Sequence, residues 1–323
     1  MITHLRIANF KSIKQMEISC KKLNVFIGEP NSGKSNIVEA MALQSQNVIG
    51  KTLNQDIIRY KGIDELFYDF AINQKIEVET DQVKSVVSYY NQNEFNLFLN
   101  QEDKEASNPV RIQFDGKIVS HGALKLTKVH FYEYRRLQSF QPNYTPHLSV
   151  PFGENLPSLL KSNPELRKWV SEFILAKGLQ LNIKPIENDI VVSKNVDGYL
   201  YSYPFFAISE TLQRIIFYTV AIKSNHGAVL LLDEPESNTF PFYTKFLAEC
   251  IALDETNQFF ITTHNPYLLM SLIEKSKSTD LNVCIVGMKD YQTTVTVLNE
   301  GQISKVLDLN SDVFFNFDDI LGE

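Results

Sequence analysis

The stretch Gly28-Glu29-Pro30-Asn31-Ser32-Gly33-Lys34-Ser35 constrains the fold of this chain more than any other. It fits the pattern G-x-x-x-x-G-K-[ST], in which glycines let successive backbone N–H groups surround a phosphate. An apolar, strand-like run precedes it at 23–27, and apolar residues at helical spacing follow it over 37–43. This order predicts a phosphate-binding loop; the alternative is an ordinary glycine turn. Lys34 would contact the β- and γ-phosphates, and the Ser35 hydroxyl would bind Mg²⁺.

The composition is that of an ordinary globular protein, with 323 residues, 44% hydrophobic residues and a net charge of −7. This length allows one large domain or two. The negative charge argues against nucleic-acid binding by the whole surface and leaves a local basic patch open. No apolar run reaches the roughly 18–20 residues that span a membrane, and the N-terminus shows no signal peptide. Cys20, Cys250 and Cys284 lack metal-ligand spacing, so we expect reduced thiols in a cytoplasmic protein.

The C-terminal part of the chain alternates helix and strand patterns. Helices are predicted over 209–224, 242–253 and 266–274, and strands over 228–232, 258–262, 283–286 and 294–298. Strands separated by helices pair in parallel through right-handed crossovers. We therefore predict an α/β fold in which residues 1–50 and 200–323 form one P-loop NTPase head around a mixed parallel sheet. A small antiparallel subsheet is expected at its N-terminus.

Residues 51–199 are predicted to form a large α+β insertion, either attached to that head or part of it. Its apolar residues recur at the spacing of strands in some segments and of helices in others. They are strands at 75–79, 86–90, 95–99 and 111–115, a hairpin turn at Asp115-Gly116, a polar loop over 101–108, helical segments between 156 and 176, and short strands at 181–183 and 190–192.

Two further predicted strands end in polar residues. The apolar run 229–232 leads into Asp233-Glu234-Pro235-Glu236, and 261–263 leads into His264. Ligands bind at the carboxyl ends of parallel strands, so these side chains should meet the phosphate loop. Asp233 would then share Mg²⁺ with Ser35, Glu234 would accept a proton from an attacking water, and His264 would contact the γ-phosphate. An acidic strand cap and an incidental histidine are the alternatives.

Four segments occur in an order typical of one group of ATPases. They are Leu5-Arg6-Ile7-Ala8-Asn9-Phe10-Lys11-Ser12, Gly28 to Asn36 with Glu39-Ala40, Asp233 to Glu236, and Thr263-His264-Asn265-Pro266. The chain thereby resembles the ATP-binding-cassette (ABC) type ATPases of the branch with SMC, RecF and OLD-family proteins, the group called AAA_15 or AAA_21. The resemblance covers roughly residues 1–50 and 200–300. Pro30, which precedes Asn31, departs from the usual loop pattern.

In that family two heads close face to face on two ATP molecules, and each offers an S-x-G signature at a helix start to its partner's γ-phosphate. The matching place here is Ser209-Glu210-Thr211-Leu212-Gln213-Arg214, where Thr211 replaces the glycine. The resemblance thus implies nucleotide contacts from Gly28 to Asn36 and contacts in trans from Ser209, Glu210, Thr211 and Arg214. Without the glycine the closest backbone approach is lost, so we expect weaker or differently shaped closure.

For several positions the sequence allows two interpretations. Ser209 is either a phosphate ligand in trans or only a helix cap, and Arg214 is either a phosphate contact or a surface ion pair. Gln138 and Gln141 are candidates for the family's glutamine loop. The pair Arg135-Arg136, with aromatic neighbours, fits either nucleic-acid binding or an ordinary surface.

These observations predict a cytoplasmic ATPase that uses ATP and Mg²⁺ to close as a homodimer or a hetero-oligomer, with Lys34, Glu234 and His264 in catalysis. The resemblance favours bacterial DNA-linked maintenance or anti-phage defence, with DNA as a candidate partner. The alternative is a switch subunit that controls a separately encoded toxin or nuclease, and a P-loop small-molecule kinase is a weaker third. No heptad run indicates a coiled-coil arm. The tail at 312–319 lacks room for a nuclease domain, and either docks on the core or offers a strip to a partner.

Overall fold

A computed structural model of the chain describes residues 1–45, 48–100, 108–122 and 127–322. Its strands, in chain order, are β1 (His4–Phe10), β2 (Ile13–Ser19), β3 (Leu23–Ile27), β4 (Ile76–Thr80), β5 (Lys84–Asn91), β6 (Glu94–Asn100), β7 (Val110–Gln113), β8 (Ile118–Ser120), β9 (Val129–Tyr132), β10 (Gln180–Lys184), β11 (Asp189–Val196), β12 (Tyr199–Pro204), β13 (Val229–Asp233), β14 (Gln258–Thr262), β15 (Leu281–Lys289) and β16 (Gln292–Val297). Its α-helices are α1 (Lys34–Ala42), α2 (Leu156–Ser162), α3 (Pro164–Leu175), α4 (Glu210–Ser224), α5 (Pro241–Ala252), α6 (Pro266–Lys275), α7 (Glu300–Leu309) and α8 (Phe317–Leu321). The polar loop predicted over 101–108 lies, apart from Asn108, outside the described residues.

The central sheet has the strand order β16-β15-β3-β14-β13-β9. Each neighbouring pair from β15 to β9 is parallel, and β16 pairs with β15 in the antiparallel sense. All five residues of β3 are buried; four are apolar, and the amide of Asn24 donates to the carbonyls of Lys21 and Phe259. The carboxyl ends of β3, β13 and β14 therefore lie at one edge of the sheet, the edge at which such sheets bind ligands.

Side chains of the buried strands alternate between two cores. Leu230 and Leu232 pack with residues of α4, α5 and α6 on one face of the central sheet. Leu231 packs on the other face with residues of α1 and of the antiparallel sheet described next. Because period-two alternation sends neighbouring residues to opposite faces, one apolar strand joins two hydrophobic layers.

The second sheet is antiparallel and has the order β2-β1-β4-β5-β6-β7-β8. The predicted β1–β2 pair is present, but the sheet is larger than expected because β4 pairs with the other edge of β1. The next strand of the chain, β3, belongs to the central sheet and not to this one. The predicted turn at Asp115-Gly116 does join antiparallel strands, β7 and β8, and Gly116 there has a φ of +88°.

The segment 51–199 contributes to every sheet of the described residues: β4–β8 to the antiparallel sheet, β9 to the central sheet, and β10 and β11 to a third sheet of order β10-β11-β12. β12 was not expected because all of its six residues are exposed, so it shows no alternation of buried and exposed positions. The α/β fold class, with a mostly parallel sheet and an antiparallel N-terminal subsheet, is confirmed.

The C-terminal tail docks on the body of the protein. α7 begins at a capping box in which Asn299 accepts from the Gln302 backbone and the Gln302 side chain accepts from the Asn299 backbone. Val306, Val313 and Ile320 are then buried in the core with α4–α6. Of the two interpretations of the tail, the structure therefore shows core docking. Within the described residues, no helix is both long and apolar enough to cross a membrane.

Candidate nucleotide site

The phosphate loop connects β3 to α1 and contains two glycines in positive-φ conformations. Gly33 caps α1 with a φ of +99°, and Gly28 has a φ of +154°. A Cβ on Gly28 would lie 2.1 Å from the carbonyl oxygen of Val286, and a Cβ on Gly33 would lie 2.1 Å from the hydroxyl of Thr293. Both positions therefore require glycine on steric grounds.

Two residues outside the phosphate-loop pattern, Thr293 and Ser12, hold the back of this loop. The Thr293 hydroxyl donates to the Ser32 carbonyl at 3.0 Å and lies 2.7 Å from the Ser12 hydroxyl. The Asn36 side chain, expected at the nucleotide, donates to that Ser12 hydroxyl at 2.8 Å instead. Ser12 ends the N-F-K-S segment, so part of that motif serves to brace the loop.

Lys34 folds back over the loop. Its ammonium donates to the carbonyl oxygens of Gly28 at 2.8 Å and Glu29 at 2.7 Å. Burial lowers the pKa of Lys34, whereas the nearby carboxylates of Glu234 and Asp233 act in the opposite direction. The lysine and the two acids at the end of β13 therefore interact across the candidate site.

Asp233 meets the phosphate loop directly. The Ser35 hydroxyl donates to Asp233 Oδ1 at 3.0 Å. The Thr262 hydroxyl donates to the same oxygen, because β13 and β14 run parallel with Asp233 opposite Thr262. Burial raises the pKa of Asp233, and these two hydroxyl donors counteract it. A hydroxyl and a carboxylate at this distance are oxygen ligands of the type that Mg²⁺ prefers, so the residues present fit that ion.

Glu234 and His264 pair at the mouth of the site. His264 Nδ1 lies 3.0 Å from Glu234 Oε1, and both side chains reach solvent. Glu234 adopts a φ of +45°, and its backbone N–H donates to the Thr262 hydroxyl at 3.0 Å. The turn that carries His264 is fixed because Asn265 caps α6 by accepting from the backbone of Tyr267 and Leu268. The motifs at 233–236 and 263–266 thus converge on one edge of the sheet.

A further carboxylate stands at the end of the neighbouring strand. Glu133 follows β9, which pairs in parallel with β13. Burial raises the pKa of Glu133, and the charge of Asp233 adds to this effect. Gln138 and Gln141, the glutamine candidates, are exposed in the loop beyond it. The run Val129-His130-Phe131-Tyr132, which is rich in β-branched and aromatic residues and is followed by an acid, is the signal that could have identified Glu133.

An ion-pair cluster around the buried carboxylate of Glu39 stands behind α1. Glu39, whose side chain is 4% exposed, pairs with Lys11 and accepts from the Arg59 Nε at 2.6 Å. The contact with Glu39 orients Arg59. Burial acts to lower the pKa of its guanidinium, and the charges of Glu39 and Asp233 act to raise it. The pairing of Lys11 and Arg59 with Glu39 was not predicted, because they lie 28 and 20 positions away from it in sequence.

The signature segment lies at the start of α4, and its first residues make weaker contacts than Gln213 and Arg214, which are buried. Ser209 is exposed and occupies the N-cap position, yet its side chain makes no capping hydrogen bond. The Thr211 hydroxyl donates to the Asn238 carbonyl at 3.3 Å. Arg214 is not the surface ion pair of one interpretation, since it is buried, lies over the Tyr134 ring at 4.7 Å and pairs with Glu210 at 3.3 Å.

A glycine-rich loop between β3 and α1, joined to an acid at the end of β13, defines a P-loop nucleotide-binding protein of the ABC ATPase type. The family model AAA_21, described as "AAA domain, putative AbiEii toxin, Type IV TA system", matches residues 51–271. This is more than half of the chain, which therefore belongs to the AAA_21 family. The matched range begins after the phosphate loop, so the loop is identified by its own pattern and geometry.

Solved structures of Smc head domains share the fold. One is the SmcHead bound to the C-winged helix domain of ScpA, with a TM-score of 0.55, 16% identity, and coverage of 94% of this chain and 99% of that one. Another is the Smc head domain with an extended coiled coil bound to the C-terminal domain of ScpA derived from Pyrococcus furiosus. Its TM-score is 0.50 at 14% identity, with 95% and 98% coverage. No curated protein matches the chain.

Proposed function

We propose that this chain is a Mg²⁺-dependent ATPase whose heads close in pairs on two ATP molecules. The observation that carries the proposal is the 3.0 Å contact between the Ser35 hydroxyl and the Asp233 carboxylate. It joins the phosphate loop to the end of β13, as a shared metal ion would require. Residues 1–50 and 200–323 would form the head together with the strands of 51–199 that complete its sheets, and the rest of the insertion 51–199 would carry the specific output.

Nucleotide binding would use the loop from Gly28 to Asn36. Lys34, which now donates to the Gly28 and Glu29 carbonyls, would exchange these acceptors for β- and γ-phosphate oxygens. Ser35 and Asp233 would hold Mg²⁺, which neutralises phosphate charge when bound. Both contributions stabilise the negative charge of a triphosphate at one edge of the sheet.

Hydrolysis would depend on Glu234. Its Oε1 lies 3.0 Å from His264 Nδ1, its Oε2 accepts from the Ser237 hydroxyl at 3.5 Å, and the side chain is 37% exposed, so a water can reach it. Glu234 would take a proton from that water, while His264 orients the carboxylate and donates to the γ-phosphate. The positive φ of Glu234 is consistent with a backbone held for this placement.

The second head would supply the signature segment. Ser209 is exposed at the start of a 15-residue helix, and its hydroxyl is engaged by no cap. A helix N-terminus with a free hydroxyl is suited to a phosphate of another chain. Glu210, Thr211 and Arg214 would support this contact, with Arg214 positioned by Tyr134 rather than extended toward solvent. Either a second copy or a related partner chain would complete the site.

For the cellular role we infer bacterial DNA-linked maintenance or anti-phage defence in the cytoplasm. A second role is a switch that controls a separate toxin or nuclease; the family's description, which names a putative AbiEii toxin of a type IV toxin–antitoxin system, supports a place in such a system. ATP-dependent, salt-sensitive DNA binding supports the first role. A stoichiometric protein partner without DNA affinity supports the second.

The variant Glu234→Gln tests the proposed chemistry. It keeps the size of the side chain and removes the base, so we expect ATP binding to persist while turnover falls about 10²-fold or more. Closed dimers should accumulate with ATP because the step that reopens them is slow. The measurements are phosphate release and light scattering with and without Mg²⁺.

Lys34→Ala is the reference variant, since it should lose ATP binding itself rather than turnover alone. The pair of variants separates binding from chemistry. Unchanged phosphate release in Glu234→Gln would remove Glu234 from the role of base. Equal ATP affinity in wild type and Lys34→Ala would remove the loop from the nucleotide site.

A further inference from the structure

Glu236, three residues beyond the metal-site acid Asp233, is a buried acid that the proposed mechanism leaves without a role. Only 2% of the surface of Glu236 is exposed to solvent. Its Oε1 accepts the hydroxyl hydrogen of Thr263. Within the described parts of the chain, its Oε2 has no hydrogen-bond partner. A carboxylate is rarely buried in this way without a cation, so its charge state and purpose require an explanation.

The hydrogen bonds around Glu236 connect two turns. The Thr263 hydroxyl accepts from the Asn265 backbone N–H at 3.0 Å, so its own hydrogen is free for Glu236. The Glu236 carbonyl accepts from the Thr239 backbone and hydroxyl at 3.0 and 2.6 Å. Glu236 thereby ties the turn after β13, which carries Glu234, to the turn after β14, which carries His264.

The surroundings of Glu236 favour the neutral acid. The groups that face it are Glu234 on its own turn, His264 from the turn before α6, and the Tyr218 phenol from α4. Burial raises the pKa of Glu236 to about 7, and the hydrogen bond from Thr263 acts in the opposite direction. An ionised carboxylate would leave a charged oxygen buried and unpaired, which costs more than a buried neutral acid.

We propose that Glu236, held as the neutral acid, is a positioning residue that locks the Glu234 turn to the His264 turn and thereby sets the 3.0 Å contact between those two side chains. The inference rests on the proposed hydrolysis at Glu234. Glu236 acts through Thr263 and does not touch the nucleotide. Loss of its proton would place a negative charge beside Glu234 and loosen the connection between the turns.

The first arm of the test measures unfolding and needs no ATP. The native state holds a proton on Glu236 that the unfolded chain releases above its ordinary pKa of about 4.5. Stability from this group is therefore present at low pH and is lost as pH rises toward about 7. Glu236→Gln should remove that part of the pH dependence of urea unfolding between pH 5 and 8. Glu249→Gln, a partly exposed acid on α5, should keep it.

The second arm measures ATP turnover. If the protonated form is required, wild-type turnover should fall about eightfold between pH 6.5 and 8. Glu236→Gln should lack this fall, because an amide carries no proton to lose, and Glu236→Ala should be at least about tenfold slower than Glu236→Gln at pH 6.5. Thr263→Val, which removes the connecting hydroxyl, should behave like Glu236→Ala, whereas Thr263→Ser retains the hydroxyl and should restore turnover.

The two arms separate this inference from the proposed function. If wild type does not hydrolyse ATP, the proposed hydrolysis fails, and the unfolding arm alone decides whether Glu236 holds a proton. If wild type hydrolyses ATP but Glu236→Gln keeps both the wild-type alkaline fall and the wild-type pH dependence of unfolding, the inference about Glu236 is overturned.

Discussion

The phosphate loop and the signature segment are the two halves of the proposed composite site, and they are built in opposite ways. The loop is braced from both sheets: Gly28 lies against Val286, and Gly33 lies against Thr293 and Ser12. The start of the signature segment is held by less, since Ser209 makes no cap bond and Thr211 makes one long bond at 3.3 Å, whereas Gln213 and Arg214 behind them are buried. Close packing is thus concentrated in the half of the proposed site that the phosphate loop supplies.

The acids that form ion pairs in the two halves also differ in burial. Glu39, behind the loop, is 4% exposed and joins two cations. Glu210, in the signature helix, is 37% exposed and joins Arg136 and Arg214 at 3.4 and 3.3 Å. A buried charge must keep its partners, whereas a half-exposed one can exchange them for water or for a new ligand. The signature half is therefore the adaptable one.

The largest effect should come from Glu39→Ala, which breaks the braced half. It leaves the Lys11 ammonium, whose side chain is only 14% exposed, without its carboxylate, and breaking a pair of this kind costs about 3 kcal/mol or more. The free energy of unfolding, measured by urea denaturation, should fall by this amount. Glu172→Ala is the control, because its pair with Lys168 is exposed and 3.9 Å long, and such pairs contribute about 0–1 kcal/mol. Equal losses in the two variants would contradict the difference drawn between the buried and exposed pairs.

A smaller but still clear effect is expected for Gly33→Ala. The new Cβ would lie 2.1 Å from the Thr293 hydroxyl at a φ of +99°, so crowding and backbone strain together should cost about 2–4 kcal/mol. ATP affinity should be lost with it.

Gly178→Ala isolates the strain in that comparison, since Gly178 has a φ of +75° and nothing within 4 Å of the new atom. It should cost about 1–2 kcal/mol and leave ATP affinity unchanged. Unfolding curves and nucleotide titrations measure both quantities. A Gly33→Ala variant as stable as Gly178→Ala would mean that Thr293 and Ser12 do not brace the loop.

The braced half was the easier one to predict from sequence. The strand at 258–262 was predicted with its observed bounds, and Asp233 and His264 were placed at strand ends, because apolar runs and following polar residues are local signals. The contact of Ser12 with Thr293 could not be predicted, since 281 residues separate them and neither belongs to a phosphate-binding pattern.

Other features could not be predicted because no periodic sequence pattern marks them. β12 has six exposed residues, so it lacks the alternation that marks a half-buried strand. Glu236 appears in the sequence as one more acid of an acidic motif, and only its burial and its bond to Thr263 distinguish it from Glu234. Arg214 was ambiguous because its burial depends on Tyr134, which arrives from a distant loop.

The smallest effect on stability, and the sharpest test of the adaptable half, is expected for Ser209→Ala. Because its hydroxyl caps nothing, unfolding free energy should change by less than about 0.5 kcal/mol. Turnover should still fall about tenfold or more if that hydroxyl meets a phosphate of a second head. Ser158→Ala is the reverse control: its buried hydroxyl donates to Asn188 at 2.8 Å, so it should lose about 1 kcal/mol of stability and keep turnover. If Ser209→Ala instead loses stability as Ser158→Ala does and hydrolyses ATP at the wild-type rate, Ser209 is a structural residue of its own chain and the signature half is no more adaptable than the loop.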